Sequence, residues 1–352
     1  MRGSEKRQSP FACYNLHVFP TLALAFALLA GLQAQQPAQQ TPPQPDQRPG
    51  YHIGVNVNQI FLPVSARSFQ GGFVRGLNKD DFQILEDGVK QDIANFYAEA
   101  SLPIHVVLLL DISGSTRSVQ AEIRRAALDF VRNLSPDDRV AVIVFNYQPR
   151  LILNWTNDLD KIQTSLESVY PRGNTVLHDA LYVTFDDLLK TVDGRKAVIL
   201  LTDGADTGSM VGRDEVMHLA LDSQAVVYTV SKLDEYWAGA IAARVEYQAA
   251  SQLIPKELTD EYIIENKRFL QRISEQTGGK VLDTAAYTSL TDIYKAVADE
   301  LKNQYYISYV PKNILRDGVW RTIEVRVMRP GVVAATKPGY YAPREAAVVA
   351  QP

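Results

Sequence analysis

Between Tyr51 and Tyr97, apolar and polar positions alternate with a period of two and are broken by frequent turn residues, in "YHIGVNVNQIFLPV", "GGFVRGL" and "DDFQILEDGVKQDIANFY". Successive side chains of a strand point to opposite faces, so this pattern predicts about four short strands. Glu86-Asp87-Gly88 predicts a tight hairpin turn, followed by a strand from Val89 to Phe96. A sheet this small cannot cover its own apolar face and needs a partner.

From Ile104 the rhythm changes. Apolar runs at Ile104 to Leu110, Val140 to Phe145, Ala197 to Leu201 and Val226 to Val230, with a weaker one at Lys280 to Asp283, alternate with amphipathic stretches. The stretches at Val119 to Leu134, Thr175 to Thr191, Arg268 to Gln276 and Leu290 to Lys302 have helical spacing. Strands that are apolar throughout are buried on both faces, so the middle of the chain predicts an α/β domain with a doubly wound, mainly parallel, Rossmann-like sheet. After Lys302 short strands return in "QYYISYV", "WRTIEVRV", "RPGVVAAT" and "GYYAP". The two strand-rich ends are expected to form one small β-sandwich, with Tyr305, Tyr306, Tyr309, Tyr340 and Tyr341 in its core and edge.

The expected organisation is an N-terminal β-segment at 51–100, the α/β domain at 101–303 and a C-terminal β-segment at 304–345 that pairs with the first. Residues 235–266 carry Trp237, Ile241, Val245, Ala249 and Leu253, and later Tyr262 and Ile263, at roughly helical spacing, and are expected to form an exposed helical insertion. Residues 1–34 read as an export signal: Arg2, Lys6 and Arg7 precede the apolar stretch Val18 to Leu32, and small residues end at Ala34. That stretch is short against the roughly 20 residues of a membrane span. The expectation is a secreted, periplasmic or cell-envelope protein with no membrane span in the mature chain, an uncleaved anchor being the alternative. Residues 35–50 are a Gln/Pro-rich linker with almost nothing to bury.

Composition narrows the chemistry. The single cysteine, Cys13, lies within the signal, so the mature chain has no disulfide, zinc-thiolate site or cysteine nucleophile. A net charge of −4 without a basic stripe excludes nucleic acid as a partner. Dinucleotide, phosphate-loop and nucleophile-elbow motifs are absent. A serine nucleophile needs a histidine base, and His178 is the one plausible candidate. A phosphohydrolase using Asp111 would want a second aspartate where Ser113 stands. The chain is expected not to be an enzyme.

The informative stretch is "DISGS", which follows the first apolar run of the α/β domain. Residues two apart point the same way in extended chain, so Asp111, Ser113 and Ser115 can offer three oxygens to one point. Ligands of doubly wound sheets bind at the carboxyl ends of strands. Asp203, in "LTDGADTG", and Thr175, in "PRGNT", lie at that same edge. An all-oxygen set suits Mg²⁺ or Mn²⁺. Helix N-capping is the competing reading of each aspartate alone.

These motifs resemble those of the von Willebrand factor type A domain, whose metal-ion-dependent adhesion site joins an Asp-x-Ser-x-Ser loop to a later Thr and a later Asp. The resemblance covers about Ile104 to Lys302, and the flanks are similar to those of a bacterial exported subgroup; residues 235–266 have no counterpart. It implies a metal held through the hydroxyls of Ser113, Ser115 and Thr175, with Asp111 and Asp203 acting largely through bound waters. An open coordination position would take an Asp or Glu from a protein ligand. Asp179 is a candidate for supporting the ligand shell or for a purely structural hydrogen bond, His178 reads as a surface or packing residue, and Asp206 as turn chemistry. The expected function is an exported metal-dependent protein-binding module. The alternative is a scaffold subunit of an envelope complex, using the sandwich or the 235–266 helix.

Overall fold

The computed structural model describes residues 59–98, 102–250 and 252–344, apart from the side chain of Ser115. The export signal, the linker and the strand pattern of Tyr51 to Asn58 lie outside the described residues.

The chain opens with β1 (Ile60–Ser68), β2 (Phe82–Glu86), β3 (Val89–Gln91) and β4 (Ile93–Tyr97). The α/β domain follows as β5 (Ile104–Asp111), α1 (Gln120–Arg132), β6 (Arg139–Phe145), β7 (Pro149–Thr156), α2 (Leu159–Glu167), α3 (Leu177–Tyr182), β8 (Arg195–Thr202), α4 (Arg213–Ser223), β9 (Val226–Ser231), α5 (Leu233–Ala249), α6 (Asp260–Gln276), β10 (Val281–Asp283) and α7 (Leu290–Asn303). It closes with β11 (Gln304–Tyr309), β12 (Trp320–Val327), β13 (Val332–Ala335) and β14 (Gly339–Tyr341).

The central sheet has six strands in the order β10-β9-β8-β5-β6-β7. Its pairs are parallel except β6 with β7. In β5 the two-residue period divides the apolar side chains between two cores: Val106, Leu108 and Leu110 pack with α1, α2 and α7. Val107 and Leu109 pack with α3, α4 and α6. A strand apolar at every position is therefore satisfied on both faces. Edge strand β7 and helices α2 and α4 were not anticipated. The stretch expected as one helix from Thr175 begins at Leu177 and widens into a π-helical turn at Val183–Leu189, where Thr184 Oγ1 donates to Ala180 O.

The ends of the chain interleave in two antiparallel sheets, β13-β1-β11-β4 and β14-β12-β2-β3. Leu62, Val64, Phe82, Ile84, Tyr305, Ile307, Tyr309 and Tyr340 form one core between them. Within it the buried Glu86 carboxylate accepts from Tyr309 Oη and Tyr340 Oη, at 2.7 and 3.0 Å. Positive φ at Asp87 and Gly88 forms the expected hairpin turn. The expected strand Val89 to Phe96 is in fact two: β3 pairs with β2, the chain breaks at Asp92, and β4 crosses to the other sheet beside β11.

Residues 235–266 also divide. Helix α5 is largely exposed and buries only Leu233 and Ala240, whereas Tyr262, Ile263 and Asn266 are buried on the first turns of the core helix α6. The single insertion expected from the spacing is thus one accessory helix followed by part of the domain.

Candidate functional site

Hydrogen bonds tie the three loops together at the carboxyl edge of the sheet. After β5 the chain turns through Ile112, whose N–H donates to Phe145 O at the end of β6. Arg172 N donates to Ile112 O and Gly114 N to Gly173 O, fastening the "PRGNT" loop to the "DISGS" loop. Val176 N donates to Asn146 O, and Asn146 Nδ2 donates to Arg172 O. On the far side, Thr207 N donates to Thr175 O and Thr175 N donates to Thr207 Oγ1. The three loops are therefore tied to one another largely through their backbone, with Asn146 and Thr207 adding side-chain bonds.

Asp111 is fully buried, and Ser113, Thr175 and Asp203 are each at most 4% exposed. Asp111 Oδ1 accepts from Ser113 N at 2.8 Å, and its Oδ2 accepts from Thr202 Oγ1 at 3.1 Å. Asp203 Oδ1 accepts from Ala205 N at 3.1 Å. Burial, and next the neighbouring Asp203 carboxylate, push the Asp111 carboxyl up to about 7 against the hydrogen bonds from Ser113 and Thr202. Two neighbouring buried carboxyl groups among hydroxyl-bearing residues form a region that favours positive charge. Among the described residues no three His, Cys, Asp or Glu side chains converge as a metal cage. The donors here are two carboxylates with hydroxyls, which fits a hard cation that keeps part of its water and does not fit zinc. Ser115 has its backbone in the following turn, and its side chain lies outside the described atoms.

Asp179 makes the structural hydrogen bonds that were its alternative reading. Its Oδ1 accepts from Met210 N and Val211 N, both at 2.9 Å, so the carboxylate closes the loop before α4. Asp206 does more than end a turn: its Oδ1 accepts from Leu177 N and Ser209 Oγ, and its Oδ2 lies 2.8 Å from His178 Nδ1. Burial raises the Asp206 carboxyl, but the hydrogen bonds from His178 and Ser209 outweigh it and hold it below the usual range. His178 is buried and packs edge-on against Phe269, and its Nε2 makes no hydrogen bond and reaches no serine.

Three contributors escaped the sequence reading. Thr202 links Asp111 to Gly204 N, and only its place just before Asp203 marks it. Tyr147 lies on Gly173: a Cβ there would meet its ring at 2.1 Å, and φ is +82°. Lys232 lines a cavity of about 340 Å³ together with Thr116, Asp203, Tyr236 and Ala240, so α5 walls one side of the site. Its side chain is 7% exposed and its Nζ lies 2.7 Å from Glu235.

Part of the chain matches a known sequence family. Residues 106–205, which hold β5 to β8 and all five oxygen-bearing positions, match the sequence model of the von Willebrand factor type A domain. The uncharacterized protein sll0103 of Synechocystis sp. is 25% identical over 180 residues, 49% of this chain and 42% of that protein. The chain therefore spans less than half the length of that relative. Among solved structures, BatB from Bacteroides thetaiotaomicron is 20% identical, with 56% of this chain and 97% of that one covered at a TM-score of 0.40. A von Willebrand factor type A protein from Catenulispora acidiphila is 13% identical, with 82% and 74% covered at a TM-score of 0.42. Residues 106–205 of the α/β domain thus carry the match to the von Willebrand factor type A domain.

Proposed function

We propose that this protein binds a protein partner through Mg²⁺ or Mn²⁺ held at the carboxyl edge of the central sheet. Von Willebrand factor type A domains are generally interaction modules without enzymatic activity. The observation that carries the finer reading is the burial of Asp111 and Asp203 beside the hydroxyl-bearing Ser113 and Thr175, on loops tied to one another by backbone hydrogen bonds. Asp111, Ser113, Ser115, Thr175 and Asp203 would hold the ion. When bound, it supplies a centre of positive charge with an exchangeable position for an Asp or Glu of the partner. Thr202 and the Ser113 amide orient Asp111, and the cavity walled by α5 receives the residues beside the partner's carboxylate. Residues 1–34, read as an export signal, support a location in the cell envelope or outside the cell; among the described residues no helix is long and apolar enough to cross a membrane.

Titrating the purified chain with Mg²⁺ or Mn²⁺ tests the site. A ligand that prefers the native state stabilises it by about 2.7 kcal/mol at a hundredfold excess over Kd. For a chain of this size that raises Tm by several degrees, at roughly 2 °C per kcal/mol. Asp111→Ala should remove the rise, and a variant that responds like the wild type refutes the assignment.

A second reading rests on α5, which exposes Ile241 and Val245 at 53% and 61% and fits a scaffold interface. Retention of an envelope partner by Asp111→Ala, with its loss on Ile241→Glu and Val245→Glu, would favour that reading.

A further inference from the structure

A second cavity, of about 400 Å³, lies where α4 meets the sandwich. Its walls come from three distant stretches: Gln59 and Ile60 at the start of β1, Leu221 and Asp222 at the end of α4, and Lys337 with Tyr340 around β14. A neighbouring cavity of about 300 Å³ shares Asp222, Tyr341 and Arg344 with it, so the two form one groove. This volume falls in the range of small-molecule sites, which favour the junctions between layers.

Lys337 is the feature without a structural explanation. It is 4% exposed, and among the described residues its ammonium has no hydrogen-bond or ion-pair partner. Burial alone pushes its amine down to about 8, with no neighbouring charge in opposition. A buried ammonium is ordinarily paired, because the loss of hydration is otherwise uncompensated. Lys337 lines the cavity, from which a partner can reach it.

We propose that this cavity binds a small organic carboxylate with an apolar tail, its head paired with Lys337. Ile60, Leu221 and the ring of Tyr340 offer the tail an apolar wall. The charged groups along the groove are Lys337, Arg344 and Asp222, whose carboxyl is raised by burial. Two cations against one carboxyl match a single negative charge, and a dianion such as phosphate meets repulsion from Asp222. Nothing in this proposal depends on the metal loops.

Hexanoate serves as the probe, with chelator present so that no metal-bound position competes for its carboxylate. In the wild-type chain, saturating hexanoate should slow acetylation of Lys337 by acetic anhydride at least fivefold, read by peptide mass against surface lysines. Acetate should bind at least tenfold more weakly than hexanoate, for want of a tail. Lys337→Met, which keeps the aliphatic stem and removes an unpaired buried charge, should fold and lose hexanoate binding at least tenfold by calorimetry. Absence of protection at Lys337 in the wild type overturns the proposal whatever the variant does. Equal protection by inorganic phosphate at the same ionic strength, or by acetate, overturns the carboxylate-and-tail assignment.

Discussion

Glu300 offers a sharp test of how the chain ends are joined to the central domain. It lies on α7, and its side chain is 8% exposed. Its Oε1 accepts from Ser65 Oγ at 2.5 Å, and its Oε2 accepts from Arg67 Nη2 at 2.6 Å and Lys280 Nζ at 2.7 Å. Ser65 and Arg67 belong to β1, so one carboxylate fastens the N-terminal strand to the α/β domain. Burial raises the Glu300 carboxyl, but the hydrogen bonds from Lys280 and Ser65 and the charges of Lys280 and Arg67 outweigh it and set the carboxyl below its ordinary value. In Glu300→Ala the buried Ser65 hydroxyl loses its acceptor, at about 1 kcal/mol, and the charge-assisted bonds are lost, at roughly 2 kcal/mol net. The total of about 3 kcal/mol sits at the lower edge of what breaking a buried pair costs. That placement is reasonable because Arg67 and Lys280 are 31% and 42% exposed and can return to water.

Urea unfolding followed by circular dichroism, with limited proteolysis at β1, measures the loss. A carboxylate whose folded value is depressed stabilises the fold above its unfolded value, about 4.3, and loses that contribution as pH falls through the folded value. The gap between wild type and Glu300→Ala should therefore be full at pH 7 and narrow below pH about 4. Glu300→Gln, which keeps the acceptor for Ser65 without the charge, should fall between them. A loss under about 0.5 kcal/mol, the range of ordinary surface changes, or a gap unchanged from pH 7 to pH 3, refutes the reasoning.

Two further outcomes follow from the geometry. Gly173→Ala places a Cβ against the Tyr147 ring at a φ of +82°; it should cost about 1 to 2 kcal/mol and weaken the Mg²⁺-dependent rise in Tm, because the same loop carries Thr175. An unchanged response in the same titration would show that Tyr147 swings aside freely. Truncation after Asn303 removes β11, which lies between β1 and β4, and β12, which pairs with β2. Segment 60–97 should then be cleaved by protease while Ile104 to Lys302 resists, and persistence of that segment would mean that it folds independently.

The sequence by itself determined the elements whose signal is local. A strand buried on both faces must be apolar at every position, so β5, β6, β8 and β9 stand out without knowledge of their neighbours. The "DISGS" spacing likewise marks the carboxyl end of β5, although the extended chain it implied stops at Ser113 and Ser115 lies in the turn from Gly114 to Val119. The place of Asp111, Ser113, Thr175 and Asp203 at one edge of the sheet was legible because each lies at the border of an element that could be recognised. Edge strand β7 was not, because half-exposed positions on both faces leave no period to read. The break at Asp92 was hidden too: β3 and β4 each alternate correctly, and only pairing with β2 and β11 assigns them to different sheets. The start of α6 was obscured because Tyr262 and Ile263 continue the spacing of α5, although they are buried against a different surface. Tertiary structure alone decided that Asp179 closes a loop, that Thr202 holds Asp111, that Tyr147 rests on Gly173 and that Lys337 lies buried without a partner. Each of these depends on which distant groups come within hydrogen-bond or van der Waals range, and that is a property of how the layers dock, not of any stretch of chain.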